Sequence, residues 1–161
     1  MRTALVDTPF EGFYQIDLDD HWQTRTATVQ VVRGQRSAEM QIWVDDEGRW
    51  RDLDETHLDT LKGVRDVDVF LTPATNTIPI RRLDLHVGTG EHVSTVYISL
   101  DEDDRLVASR LDQYYERVDE TSYRYMSFED NGEIAYEANL TVDGDGVIER
   151  YSDLLVTTSS G

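Results

Sequence analysis

Apolar and polar residues alternate with period two along most of the chain, the pattern of strands with one buried face. Tyr14, Ile16 and Leu18 alternate with Gln15 and Asp17, Asp19-Asp20 turns the chain, and Trp22 to Val32 returns. Ala38, Met40, Ile42 and Val44 form the cleanest alternating run, with Glu39, Gln41 and Trp43 on the other face. Asp45-Asp46-Glu47-Gly48 closes it with turn residues. Leu53 to Leu61 is the one helical candidate, with Asp54 as its cap and Gly63 as its stop. Such a helix spans at most about two turns.

Val67, Val69 and Leu71 share a face of the next strand, Val64 to Leu71. The stretch Thr72-Pro73-Ala74-Thr75-Asn76-Thr77-Ile78-Pro79 carries two prolines, which remove ladder donors and push the preceding residue towards extended backbone. It is expected to be an extended connection of fixed shape, with a strand resuming from Ile80 to Val87. A meander then follows: His92 to Leu100, the long Arg105 to Val118 with a suspected bulge, Ser122 to Phe128, Ile134 to Val142, and Val147 to Tyr151. Asn131-Gly132 reads as a type I′ hairpin turn, whose two central positions need positive φ. Eight to ten short strands and at most one short helix predict a mainly β protein: a curved antiparallel sheet, a barrel or a sandwich. One β domain is expected over residues 10–156, after a short segment 1–9 and before a small, polar, frayed tail 157–161.

Composition narrows the setting. A chain of 161 residues suits one domain with a core of its own. It has no cysteine, which excludes disulfides and thiolate metal sites and favours a cytoplasmic location. The N-terminus lacks the apolar run of a signal peptide, and no stretch approaches the roughly 20 apolar residues of a membrane span. The formal charge is −18, with Lys62 the only lysine. That charge argues against nucleic acid and anionic membranes as partners. Hydrophobic residues at 39%, in regular alternation, argue against disorder. A salty cell interior is the better reading, because salt screens repulsion between surface carboxylates.

Little in the sequence points to catalysis. His21, His57, His86 and His92 have no metal-ligand spacing. Asp143-Gly144-Asp145-Gly146 starts like a calcium loop, but Val147 and Leu154 stand where further ligands belong. Nucleophile-elbow and phosphate-loop motifs are absent, and no cofactor is expected. Tyr114, Tyr115, Tyr123, Tyr125 and Tyr136 cluster on the C-terminal strands. They suit either cross-strand packing or the wall of a pocket for an amphiphile. Arg81-Arg82 stands out from the acidic background, with one side chain expected inward if the stretch is a strand. It serves either a salt bridge or an anionic or sugar headgroup.

The stretch from Leu61 to Leu83 contains Gly63, Asp66-Val67-Asp68, Thr72-Pro73, Thr75-Asn76-Thr77 and Pro79-Ile80-Arg81-Arg82-Leu83. In this order they resemble the signature of the prokaryotic family described as putative glycolipid-binding proteins. Further matching residues are Gln113-Tyr114-Tyr115, Tyr123-Arg124-Tyr125, Ala138 to Asp143 and Tyr151 to Leu154, so the resemblance runs from about Tyr14 to Val156. It implies a strongly curved antiparallel sheet, half-barrel or barrel-like, around an apolar cavity, and a glycolipid-like amphiphile as ligand. Family members carry more strand-forming sequence before the segment matching Phe13 to Val32. Its shortness here implies an exposed sheet edge, which a homodimer would cover.

The reading that follows is a non-catalytic binding protein. The loop Thr72 to Pro79 would lie at the cavity mouth, with Asn76 and Arg81 or Arg82 near the headgroup and Tyr114, Tyr123 and Tyr125 as the wall. Two alternatives compete with it. One is an enzyme with Asp66, Asp68 and Arg81 in a cleft, since the repeat of those acids has no evident packing reason. The other is an interaction domain that uses a sheet edge.

Overall fold

The computed structural model describes residues 9–54 and 58–153. Among these residues, ten strands form two sheets. The first is an antiparallel meander of β1 (Glu11–Leu18), β2 (Thr24–Arg33), β3 (Arg36–Val44) and β4 (Trp50–Asp52). The second has the order β10-β9-β8-β7-β6-β5, made of β5 (Asp66–Val69), β6 (Gly90–Leu100), β7 (Leu106–Arg117), β8 (Ser122–Phe128), β9 (Ile134–Val142) and β10 (Ile148–Asp153). The protein is mainly β, as the alternation predicts.

The sheets meet in one core. Ala27, Val29, Ile42 and Trp50 of the first pack with Val67, Val69, Val96 and Ile98 of the second. The Trp50 indole N–H donates to the Val64 carbonyl at 3.0 Å, so this buried ring leaves no polar atom unpaired. Because Val67 and Val69 point into this core, period two turns Asp66 and Asp68 to the opposite, concave face.

Between β5 and β6 the sequence reading needs correction. Residues 72–79 are not an extended connection, and Ile80 to Val87 is not a strand. Pro73–Asn76 forms a 3₁₀ turn that runs into a helix, α1 (Thr77–Leu83). Both prolines sit where their missing N–H costs nothing, at the first turn of a helical segment. Thr72 caps the turn by accepting from Ala74 N at 3.1 Å. Ile78, Pro79 and Ile80 are buried, and Asp84 ends the helix in the left-handed region at φ 44°. With a helix between them, β5 and β6 pair in parallel, so the curved sheet is mixed. One short helix is present, but at 77–83; of the candidate Leu53–Leu61, residues 55–57 lie outside the described residues and Asp59–Leu61 is a single 3₁₀ turn.

The sheet curls until its two edges approach the same segment. The 3₁₀ turn contacts both β5 and β10. The Ile148 N–H of β10 donates to the Thr77 hydroxyl at 3.2 Å. Residues 73–83 therefore span the open side of a half-barrel.

Five hairpin turns share one design: Asp19–Trp22, Asp45–Gly48, Asp101–Asp104, Glu129–Gly132 and Asp143–Gly146. In each, the fourth N–H donates to the first carbonyl and the fourth residue is left-handed. This is a type I turn with a following bulge residue, not the type I′ turn expected at Asn131-Gly132. In the four that begin with aspartate, Oδ1 accepts from the N–H groups two and four residues on. Those bonds hold the Asp45 carboxyl down at about 2. The fourth position is glycine three times, aspartate once, and Trp22 at φ 63° once. Strand β7 runs twelve residues in unbroken register with β6 and β8, so the suspected bulge is absent from it.

Candidate functional site

A cavity of about 450 Å³ lies between the concave face of the curved sheet and residues 70–76. This is within the range of small-molecule sites, roughly 300–1,000 Å³. Register decides which side chains share the concave face. Asp68 lies opposite Tyr97, Gln113 opposite Ser127, Ser127 opposite Tyr136, and Tyr115 opposite Tyr125. Partners across a ladder share a face, so these residues form one polar, aromatic floor. Tyr125, Tyr136 and Tyr151 stand 6.1–6.5 Å apart, and the last two are stacked at 12°. Phe70, Leu71, Pro73 and Leu111 complete the wall.

The floor is wired to the 3₁₀ turn. Thr75 Oγ1 donates to Asp68 Oδ1 at 2.7 Å, and Gln113 Nε2 donates to Asp68 Oδ2 at 2.7 Å. The Tyr115 hydroxyl donates to Asn76 Oδ1 at 2.6 Å, and Asn76 Nδ2 donates to the Pro73 carbonyl at 2.9 Å. Asp68 is half-buried and faces the cavity. Burial pushes its carboxyl above the ordinary 3.8, against the pull of the Thr75 and Gln113 hydrogen bonds. Burial likewise raises the phenols of Tyr97, Tyr125 and Tyr151. All three are neutral at pH 7, each able to donate and accept a hydrogen bond.

Of the sequence candidates, Asn76 and Tyr125 line this cavity. The other four do not. Arg82 makes a bidentate pair with Asp66, at 2.8 and 2.6 Å. Arg81 lies over the Trp22 ring, 4.3 Å from its centroid, and donates to the Asp145 carbonyl. With Tyr123 it lines a separate polar cleft of about 350 Å³. Tyr114 packs on His92, its ring filling the space above Gly90. The trio Asp66, Asp68 and Arg81 does not converge: Asp66 is held by Arg82, Asp68 faces the cavity, and Arg81 serves the other cleft.

Tyr97, Tyr151 and Ser127, which line the cavity, were missed as site residues. Parity carried the signal for Tyr97. On β6, Val96 and Ile98 fill the inter-sheet core, so Thr95 and Tyr97 must face the concave side. The Asp66-Val67-Asp68-Val69 alternation carried the same message. Among the described residues, no group of three or more His, Asp or Glu gathers to hold a metal ion, and no helix is long and apolar enough to cross a membrane.

Fold and site together define a β half-barrel, spanned by a short helical segment, with an internal cavity of mixed polarity. The chain belongs to the family described as putative glycolipid-binding, which its residues 3–156 match. It is similar to the crystal structure of a DUF1089 family protein from Pseudomonas aeruginosa, at 29% identity and a TM-score of 0.80. The likeness covers 92% of this chain and 78% of that one. Among curated proteins nothing matches the chain.

Proposed function

We propose that the protein binds a glycolipid-like amphiphile in the half-barrel cavity and has no catalytic role. The observation that carries this reading is the composition of the wall. The hydroxyl groups of Tyr97, Tyr125 and Ser127 and the apolar side chains of Phe70, Leu71, Pro73 and Leu111 line the same cavity. An amphiphile needs both kinds of surface within one pocket. The size of the cavity and the description of the family support the same reading.

Hydrolysis of a glycosidic bond calls for two carboxyl groups flanking it. Among the described residues, Asp68 is the one carboxyl group that lines this cavity, and both of its oxygens already accept hydrogen bonds from the protein.

A fluorescent lipid analogue tests the proposal. Saturable uptake is expected, together with loss of uptake in Leu111→Trp, where a larger ring fills the wall. Circular dichroism of the variant checks that it folds. No saturable uptake by the wild-type protein, or uptake indifferent to Leu111→Trp in a folded variant, sinks it.

A further inference from the structure

We infer that the protein binds a small phosphate ester, free in solution, in a basic recess at the start of β5. The recess shares no lining residue with the half-barrel cavity, so the inference stands apart from the binding reading above.

A local reversal of charge carries the inference. The chain has 33 acids against 15 lysines and arginines. The recess, of about 250 Å³, gathers Lys62, Arg65, Arg82 and Arg110 with His92, and Asp66 is the one acid among its described lining residues. Asp66 brings no spare charge, because it is fully buried and accepts both of its bonds from Arg82. Strand parity explains the gathering. Val67 and Val96 lie in the core between the sheets, so Arg65, His92 and Ser94 belong to the same convex face. Pairing of β5 with β6 starts at Asp66 opposite Thr95, which sets Arg65 level with Ser94. Arg110 reaches the same place from β7, where its Nη2 donates to Ser94 Oγ at 2.7 Å.

Two of these cations are uncommitted. Arg25, Arg49, Arg105 and Arg124 each hold an acid. Among the described residues, the side chains of Lys62 and Arg65 make neither an ion pair nor a hydrogen bond. Arg65 also borders a hollow that contains Asp45, Asp46 and Glu47, but Arg25, Arg49 and Arg51 engage those acids. Two acids outside the lining temper the field: Asp112, bound by Arg110 and Ser94, and Glu91, near Arg82. Cations gathered at one recess repel each other, and an anion among them relieves that repulsion. A phosphate monoester carries about −1.5 to −2 charges at pH 7 and three acceptor oxygens. Those oxygens match the guanidinium fork of Arg65 and the ammonium of Lys62. The recess is smaller than a drug-sized site, which leaves room for the phosphate and a short substituent. The net charge of −18 repels an anionic bilayer as a whole, so the ester is a free one and not a lipid headgroup.

Calorimetric titration of the full chain with glycerol 3-phosphate in low-salt buffer tests this, with glycerol as the uncharged control. Saturable binding of the ester is expected, and none of glycerol. The double variant Lys62→Gln/Arg65→Gln should weaken ester binding about tenfold or more. Its side chains hold nothing in the described protein, and circular dichroism checks that it folds. Arg25→Gln/Arg105→Gln removes the same charge elsewhere on the surface and should keep the affinity within about twofold. No saturable binding by the wild-type protein overturns the inference, as does equal weakening in the two double variants. Vesicles of phosphatidylcholine and phosphatidic acid give the last arm. They are expected not to sediment with the protein. Sedimentation that Lys62→Gln/Arg65→Gln abolishes, without binding of the free ester, overturns the inference and gives the recess to a lipid surface.

Discussion

Asp66 and Asp68, two residues apart on β5, meet opposite fates. Asp66 is fully buried and neutralised by the Arg82 guanidinium. Among the described residues Asp68 has no cationic partner; it accepts from Thr75 and Gln113 and faces the cavity. Its carboxyl is raised from 3.8 by burial, so the folded protein holds a proton there that the unfolded chain releases from about pH 4 upward. With more protons bound when folded, stability falls as pH rises through that window, by up to about 1.4 kcal/mol per pH unit. Asp68→Asn removes the titration and keeps an acceptor for Thr75. Urea unfolding between about pH 4 and about pH 8 should therefore show the wild-type protein losing ground to the variant as pH rises, then levelling off past the raised value. A difference that stays constant over that range would show the carboxyl to be unshifted. Residue types were legible before the fold was known: the tyrosine-rich strands and the Asp-Val-Asp alternation both pointed to one face. What each residue touches was less so. The amide of Asn76, a headgroup candidate by sequence, is held by Tyr115 and Pro73, 39 and three residues away along the chain, and that pairing depends on the fold.

At the scale of elements, the error over residues 72–87 has a definite cause. Proline excludes the middle of a helix and the middle of a sheet alike, but the first turn of a helix welcomes it. Thr72-Pro73 and Thr77-Ile78-Pro79 are helix starts, and an alternation reading cannot tell them from a broken strand. The consequence reached Arg81 and Arg82, expected on opposite faces of a strand and found side by side on α1. Their roles differ, and so should their mutants. Arg82→Ala would leave Asp66 buried without a partner, and the removal of one member of such a pair costs about 3–5 kcal/mol. Arg81→Ala gives up a half-exposed ring contact with Trp22 and one bond to a carbonyl, a loss of about 1 kcal/mol. Chemical denaturation of the two variants should separate them in that order. Similar losses would mean that Arg82 and Asp66 do not clamp α1 to the sheet.

For the whole molecule, the strand count and the mainly β class were legible because period two survives in nearly every strand. The parallel β5–β6 pair was not, since it depends on the helix between them. Charge acts at this scale too. The ion pairs lie mostly at the surface, such as Arg25 with Asp46 and Arg105 with Asp101 and Asp103, and pairs of that kind contribute little. They leave a net −18, with 33 acids against 15 basic residues. Folding draws those charges together, so repulsion among them opposes the compact state more than the unfolded one. Salt shortens the reach of that repulsion, from about 10 Å at about 0.1 M to about 3 Å at about 1 M. The melting temperature should therefore rise as KCl goes from about 0.1 M to about 1 M, by roughly 3 °C for each kcal/mol of repulsion removed. Chloride keeps the test on screening, whereas sulfate would stabilise any protein through exclusion from its surface. The favourable pairs are screened as well, but they are fewer than the unpaired acids, so the net sign is set by repulsion. A melting temperature that is flat or falls over this range would show that the carboxylates are too far apart to repel, and it would remove the case for a salt-adapted protein.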